Sequence, residues 1–138
     1  MSNMFEFHGW ATLRVDSVDE YGDEDEKALQ AFLSELHQRI ETMLIDGAIH
    51  VEIRNGLHTL TIFGHNNHRQ ESVIDLFRWV AMNSRGSYGL LFIHDDEDYK
   101  RGGDYTNQFR VWKLALGELE ELDDPFLSPY IPTVELPS

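Results

Sequence analysis

Gly86-Ser87-Tyr88-Gly89-Leu90-Leu91-Phe92-Ile93-His94-Asp95-Asp96-Glu97-Asp98 is the stretch whose reading decides the fold. It opens as a turn, becomes the most apolar run of the chain and ends in four consecutive carboxylates. A short apolar run bounded by turn residues predicts a buried strand, Tyr88 to Ile93, that delivers a charged tip. The strand marks the core. The tip poses the functional question, because it can serve a partner, an ion or only solvent.

Working outward, the neighbouring segments alternate between strand and helix periods. Gln108 to Leu116 carries Phe109, Val111, Leu114 and Leu116, with Trp112 on the other side, and reads as a strand beyond a hydrophilic loop over residues 99–107. Before the opening stretch, Val73, Leu76, Phe77 and Val80 have helical spacing, and 83–86 ends that helix. Upstream of it, Ile49, Val51 and Ile53 alternate with His50, Glu52 and Arg54 as a half-buried strand does. Asn55-Gly56 predicts a type I′ hairpin turn into a returning strand with Leu60, Ile62 and Phe63. His50 and His58 read as solvated.

Leu29, Phe32, Leu33, Leu36, Ile40, Met43 and Leu44 form a helical stripe, which predicts an amphipathic helix from about Glu24 to Asp46, stopped by Asp46-Gly47 and capped by Asp23 or Asp25. Phe5 to Asp16 reads as a first strand, with Gly9 a bulge or a point of close approach. Trp10 in His8-Gly9-Trp10 reads as core rather than as a stacking surface. The fold class expected is α+β, a two-layer sandwich with a mostly antiparallel sheet of about five strands and two helices on one face. Its order is β-α-β-β-α-β-β, of ferredoxin-like type. Residues 1–138 read as one domain, with 118–138 a Pro-rich, irregular C-terminal segment packed on it.

Composition narrows the function classes. Twenty-five acids oppose 11 bases for a formal charge of −14, so nucleic acid and anionic membrane are repelled, and a basic macromolecule or a divalent cation is the natural counterpart. The chain has no cysteine, which removes disulfides, thiolate metal sites and cysteine nucleophiles. No basic n-region with an apolar h-region is visible, and no apolar run approaches the ~20 residues that span a bilayer. The expectation is a cytoplasmic protein. An oligomeric state is not specified.

Several side-chain groupings invite chemistry. Asp95, Asp96 and a histidine could serve a metal-dependent hydrolase or a metal-binding module, but neighbouring strand residues point to opposite faces and calcium-loop spacing is absent. His65 and His68 lack the further ligands that zinc needs. No serine sits in a Gly-x-Ser-x-Gly elbow, and no phosphate loop or dinucleotide fingerprint occurs. No enzyme and no cofactor are expected. What remains is carboxylate surface interleaved with aromatic residues, suited to protein binding: Asp23 and Glu24 beside Tyr21, then Asp95, Asp96, Glu97, Asp98 and Tyr99, then Asp104 and Tyr105.

Four phrases carry a family resemblance. They are His8-Gly9-Trp10, then Gly64-His65-Asn66-Asn67-His68-Arg69, then Gly86-Ser87-Tyr88-Gly89-Leu90-Leu91 running into His94-Asp95-Asp96-Glu97, and finally Asp124-Pro125-Phe126-Leu127-Ser128-Pro129 with Ile131-Pro132 and Glu135. In this order they resemble the immunity protein 7 family of bacterial polymorphic toxin and contact-dependent growth inhibition systems. The resemblance implies a small α+β cytoplasmic protein, encoded beside a toxin gene, that binds and neutralises a toxin domain. That toxin is expected to be a nuclease, whose cleft must be basic to attract phosphates. Occlusion would then be stoichiometric and electrostatic, with no catalytic residue to carry over.

Overall fold

The structure is a computed structural model that describes residues 3–16 and 25–138. In chain order it contains β1 (Phe5–Leu13), α1 (Glu26–Glu41), β2 (Gly47–Arg54), β3 (Leu57–Asn66), α2 (Glu71–Asn83), β4 (Tyr88–Asp95), β5 (Phe109–Ala115), β6 (Glu118–Asp123) and the single turn α3 (Tyr130–Thr133). One six-stranded sheet has the order β2-β3-β1-β4-β5-β6, and every neighbouring pair is antiparallel. β1 and β2 therefore run parallel with β3 between them, and α1 makes that crossover. α2 likewise links β3 to β4 across β1. These are two interlocked split β-α-β units, the ferredoxin-like arrangement expected, lengthened by β5 and β6.

Period-2 alternation sets one face of the sheet against the helices. Phe5, Phe7, Ala11 and Leu13 of β1, Leu60 and Ile62 of β3, Leu91 and Ile93 of β4, and Trp112 and Leu114 of β5 are buried there. The stripes Leu29, Phe32, Leu33, Leu36 and Val73, Ile74, Leu76, Phe77, Val80 close over them. Each fully enclosed side chain of this size contributes about 1.5–3 kcal/mol of burial free energy. Gly9 lies in unbroken register with both neighbours, so it is no bulge. A Cβ there would stand 2.8 Å from Leu91 Cδ1 and 2.9 Å from Phe77 Cζ, so the missing side chain is what lets α2 seat on β1.

Both hairpin turns have positive φ at both central residues: 50° and 79° at Asn55-Gly56, and 53° and 77° at Leu116-Gly117. The first was legible as a type I′ turn; the second was not, because Leu carries no αL preference. From this follows the main correction to the expected fold. Six strands form rather than five, because Glu118–Asp123 pairs with β5 instead of lying irregularly. Glutamates are poor strand formers alone. Here Leu119 packs toward the core and the carboxylates meet β5 cations, Lys113 to Glu120 at 3.3 Å and Arg110 to Glu121 at 2.8 Å.

Two smaller differences concern helices. α1 ends at Glu41, not near Asp46, because Thr42 turns its hydroxyl to the Arg39 carbonyl at 2.7 Å and closes the helix as C-cap. Its N-cap is Asp25, whose carboxylate accepts from the Ala28 amide at 3.0 Å. The tail adds the short α3, kinked at Ile131. Buried Asp124 accepts from the Phe126 and Leu127 amides, and the Tyr130 ring stacks on His94 at 4.2 Å between centroids. The tail thereby covers one end of the sheet face opposite the helices.

Candidate functional site: an acidic tip and an open sheet face

The carboxylates after β4 are held inward. Asp95 and Asp98 are only 3% and 4% exposed. Asp95 accepts from Arg69 Nη1 at 3.1 Å and from the Glu97 amide at 3.0 Å. Asp98 takes two bonds from Arg101, Nε at 2.8 Å and Nη2 at 2.6 Å, and Arg69 stands 3.7 Å from it. Asp96 accepts from the Met4 amide at 2.9 Å while its own amide donates to the Met4 carbonyl, which ties the chain start to the tip. Glu97 pairs with His68 at 2.8 Å on the surface.

The chain of ion pairs continues across the sheet. Arg101 also grips Glu121 of β6 with two bonds of 2.7 and 2.9 Å, and Glu121 receives Arg110 Nε at 2.8 Å. Arg110 goes on to Asp123, and Arg69 reaches Glu71 at 2.6 Å. The ladder reads Glu71, Arg69, Asp95 with Asp98, Arg101, Glu121, Arg110, Asp123. Tyr105 lies between two of its cations, 5.2 Å from Arg101 and 4.3 Å from Arg110.

Ionisation follows the contacts. The bonds that Arg101 donates to Asp98, and then those to Glu121, raise its pKa far above its ordinary value. Burial works against the charge of Arg110 and of Arg69, yet their carboxylate partners outweigh it and raise both. Burial would likewise raise Glu121, but the hydrogen bonds from Arg101 and Arg110 together hold it below the usual carboxylate range. Asp104, fully exposed, is lowered by the Thr106 hydroxyl and amide.

One oxygen each from Asp95, Asp96 and Glu97 lies within 4.8 Å of the others, the spacing a cation could use. In place of an open ligand set, the three already serve Arg69, the Met4 and Glu97 amides, and His68. His65 and His68 do not converge either: His68 turns to Glu97, and His65 stands opposite Glu6 on the ladder.

The sheet face away from α1 and α2 has the opposite character. Trp10 is 41% exposed, Phe63 53% and Tyr88 42%. Trp10 and Tyr88 meet edge to face at 6.2 Å, and half-buried Leu90 lies directly opposite Trp10 on the ladder. One step along, Phe92 and Phe63 flank His8 from either side. Trp10 therefore corrects the expectation of a core tryptophan: parity places it opposite Phe7 and Ala11, on the face the helices leave bare.

Comparison with families of known proteins decides the class. The model described as Immunity protein 7 matches residues 4–136 of this 138-residue chain. The chain belongs to that family. Comparison with curated proteins and with solved structures gave no match. Membership supports an immunity role for this protein and so a toxin as its partner. Among the described residues of the immunity protein, no helix is long and apolar enough to cross a membrane.

The residues expected to contact a partner are distributed unevenly on this immunity protein. Asp95 and Asp98 are buried, Asp96 and Glu97 half-buried, and Tyr105 is half-buried between its arginines. Tyr99 and Asp104 reach solvent. Asp23 and Glu24 lie outside the described residues. Sequence reasoning passed over Phe63 and Tyr88 as surface aromatics. The signal was available: Phe63 follows Ile62 directly, and adjacent strand residues cannot both face the core.

Proposed function

We propose that this immunity protein neutralises a cognate nuclease toxin domain in the cytoplasm by stoichiometric occlusion, with no chemistry of its own. Residues 1–138 act together as one immunity-type domain. The observation that carries the reading is the family match joined to a formal charge of −14. A nuclease must gather phosphates, so its cleft is basic, and an acidic inhibitor is steered to it by a complementary field. Arg69, Arg101 and Arg110 are already counted in that charge, and each is held by carboxylates of the ladder, so they form no free basic patch that would repel a basic cleft. Asp104 and Glu97 contribute to that field near the tip, and exposed Tyr99 adds contact area beside them. Asp95 and Asp98 we assign to the fold.

Co-expression with the toxin domain encoded beside it tests the proposal. The expected result is rescue of growth and loss of nuclease activity at one inhibitor per toxin, with an association rate that falls as salt rises. Persistent toxicity with both proteins soluble contradicts it.

A further inference from the structure

The neutralisation reading leaves open which surface meets the toxin. Helices cover one face of the sheet, and the tail with Tyr130 over His94 covers one end of the other. The remainder, spanning β3, β1 and β4, presents Trp10, Phe63 and Tyr88 to solvent above half-buried Leu90 and Phe92. Three exposed aromatics on the central strands of a sheet, two of them in edge-to-face contact, are unlike the scattered apolar residues of an ordinary surface. It also lies away from the β2 and β6 edges, so it suits a folded surface rather than an added strand.

The rings themselves indicate the partner's chemistry. Elsewhere this protein stacks its own cations on aromatic faces: Arg39 on Trp79, Lys100 on Tyr99, Arg101 and Arg110 on Tyr105. Among the described residues, no cation–ring contact involves Trp10, Phe63 or Tyr88. Carboxylates dominate the same face: Glu6, Glu52, Glu118 and Glu120 against Arg54 and Lys113, and both of those bases are paired, with Glu52 at 2.9 Å and Glu120 at 3.3 Å. Aromatic faces fringed by carboxylate are sites for arginine and lysine. A second copy of this chain is the wrong occupant, since it would bring another −14 to the same face.

We infer that the toxin domain docks on the open sheet face through Trp10, Phe63 and Tyr88, and that it meets these rings with cationic side chains; the inference rests on the immunity reading above. The contact is an anchor of rings, and the distant carboxylates serve approach.

The test uses the full chain and the toxin domain encoded beside it, with affinity read by calorimetry and folding by thermal melting. Trp10→Ala is expected to weaken binding about 30-fold or more, as loss of a central aromatic anchor does. Phe63→Lys, at a more exposed position that keeps the fold, should weaken it more than Phe63→Thr because it repels a cationic surface. Leu44→Ser, in the connection after α1, and Met82→Ser, on α2, are exposed positions outside the open face and should bind as wild type does. Wild-type binding that Trp10→Ala and Phe63→Lys leave unchanged overturns the docking face alone. A free chain that dimerises through Trp10 assigns the face to a second copy and overturns it too. Absence of wild-type binding overturns the immunity reading and the inference with it.

Discussion

The acidic tip after β4 and the open face of β3, β1 and β4 exchange roles between sequence and structure. In sequence the tip is the loudest feature, four carboxylates in a row, and the face is a set of ordinary strand residues. In the folded protein the tip turns inward: Asp95 and Asp98 are less exposed than most of the apolar residues of β2. Meanwhile Trp10, Phe63 and Tyr88 stand in solvent. Charge in a sequence marks a surface only when no opposite charge reaches it, and here three arginines do. The difference separates what holds the fold from what is left to bind.

Breaking the ladder tests the first half of that comparison, and the largest effect is expected at its centre. Arg101→Ala removes both bonds to buried Asp98 and both to Glu121, leaving a carboxylate enclosed with only Arg69 nearby at 3.7 Å. Loss of about 3–5 kcal/mol in urea unfolding is expected. A change under about 1 kcal/mol would mean that the ladder does not hold the tip.

A smaller effect is expected from pH. Glu121 has a folded pKa held below its ordinary 4.5, so its contribution is present above that value and is lost as pH falls through the folded pKa. Glu121 is partly exposed, so the contribution is of the order of 1 kcal/mol after solvent screening. Unfolding midpoints followed from pH 6 to about pH 3 should fall less steeply for Glu121→Gln than for wild type. An identical acid limb in the two proteins would contradict the pairing.

The open face should respond in the reverse sense. Phe63→Thr, at 53% exposure in a strand, should shift stability by about 1 kcal/mol or less while lowering toxin affinity. A large loss of stability with unchanged affinity would make Phe63 a fold residue after all. The smallest effect belongs to Glu97→Gln. Its partner His68 is a surface group, so about 0.5 kcal/mol or less is at stake in double-mutant cycles with His68→Ala.

How much of this was legible depends on the range over which the physics acts. The α1 stripe, the β2–β3 hairpin and its Asn55-Gly56 turn are local, and local periodicity with turn chemistry reported them. The sixth strand was not legible, because Glu118–Asp123 becomes a strand only when Arg110 and Lys113 stand beside it. The tip was misjudged for the same reason: Arg69 lies 26 residues from Asp95, and Glu121 lies 20 from Arg101, so no window shows the pairing. Trp10 and Phe63 were a different failure. Strict alternation already placed both away from the helix side, but a sheet with one bare face had to be seen before that parity meant exposure.

The most direct measurement of the comparison is oxidative footprinting of the immunity protein with and without bound toxin domain. Trp10, Phe63 and Tyr88 are expected to lose reactivity in the complex, while Tyr99 beside the tip, 58% exposed, keeps its own. Protection of Tyr99 with Trp10 and Phe63 unchanged would return the binding site to the acidic tip and contradict the account.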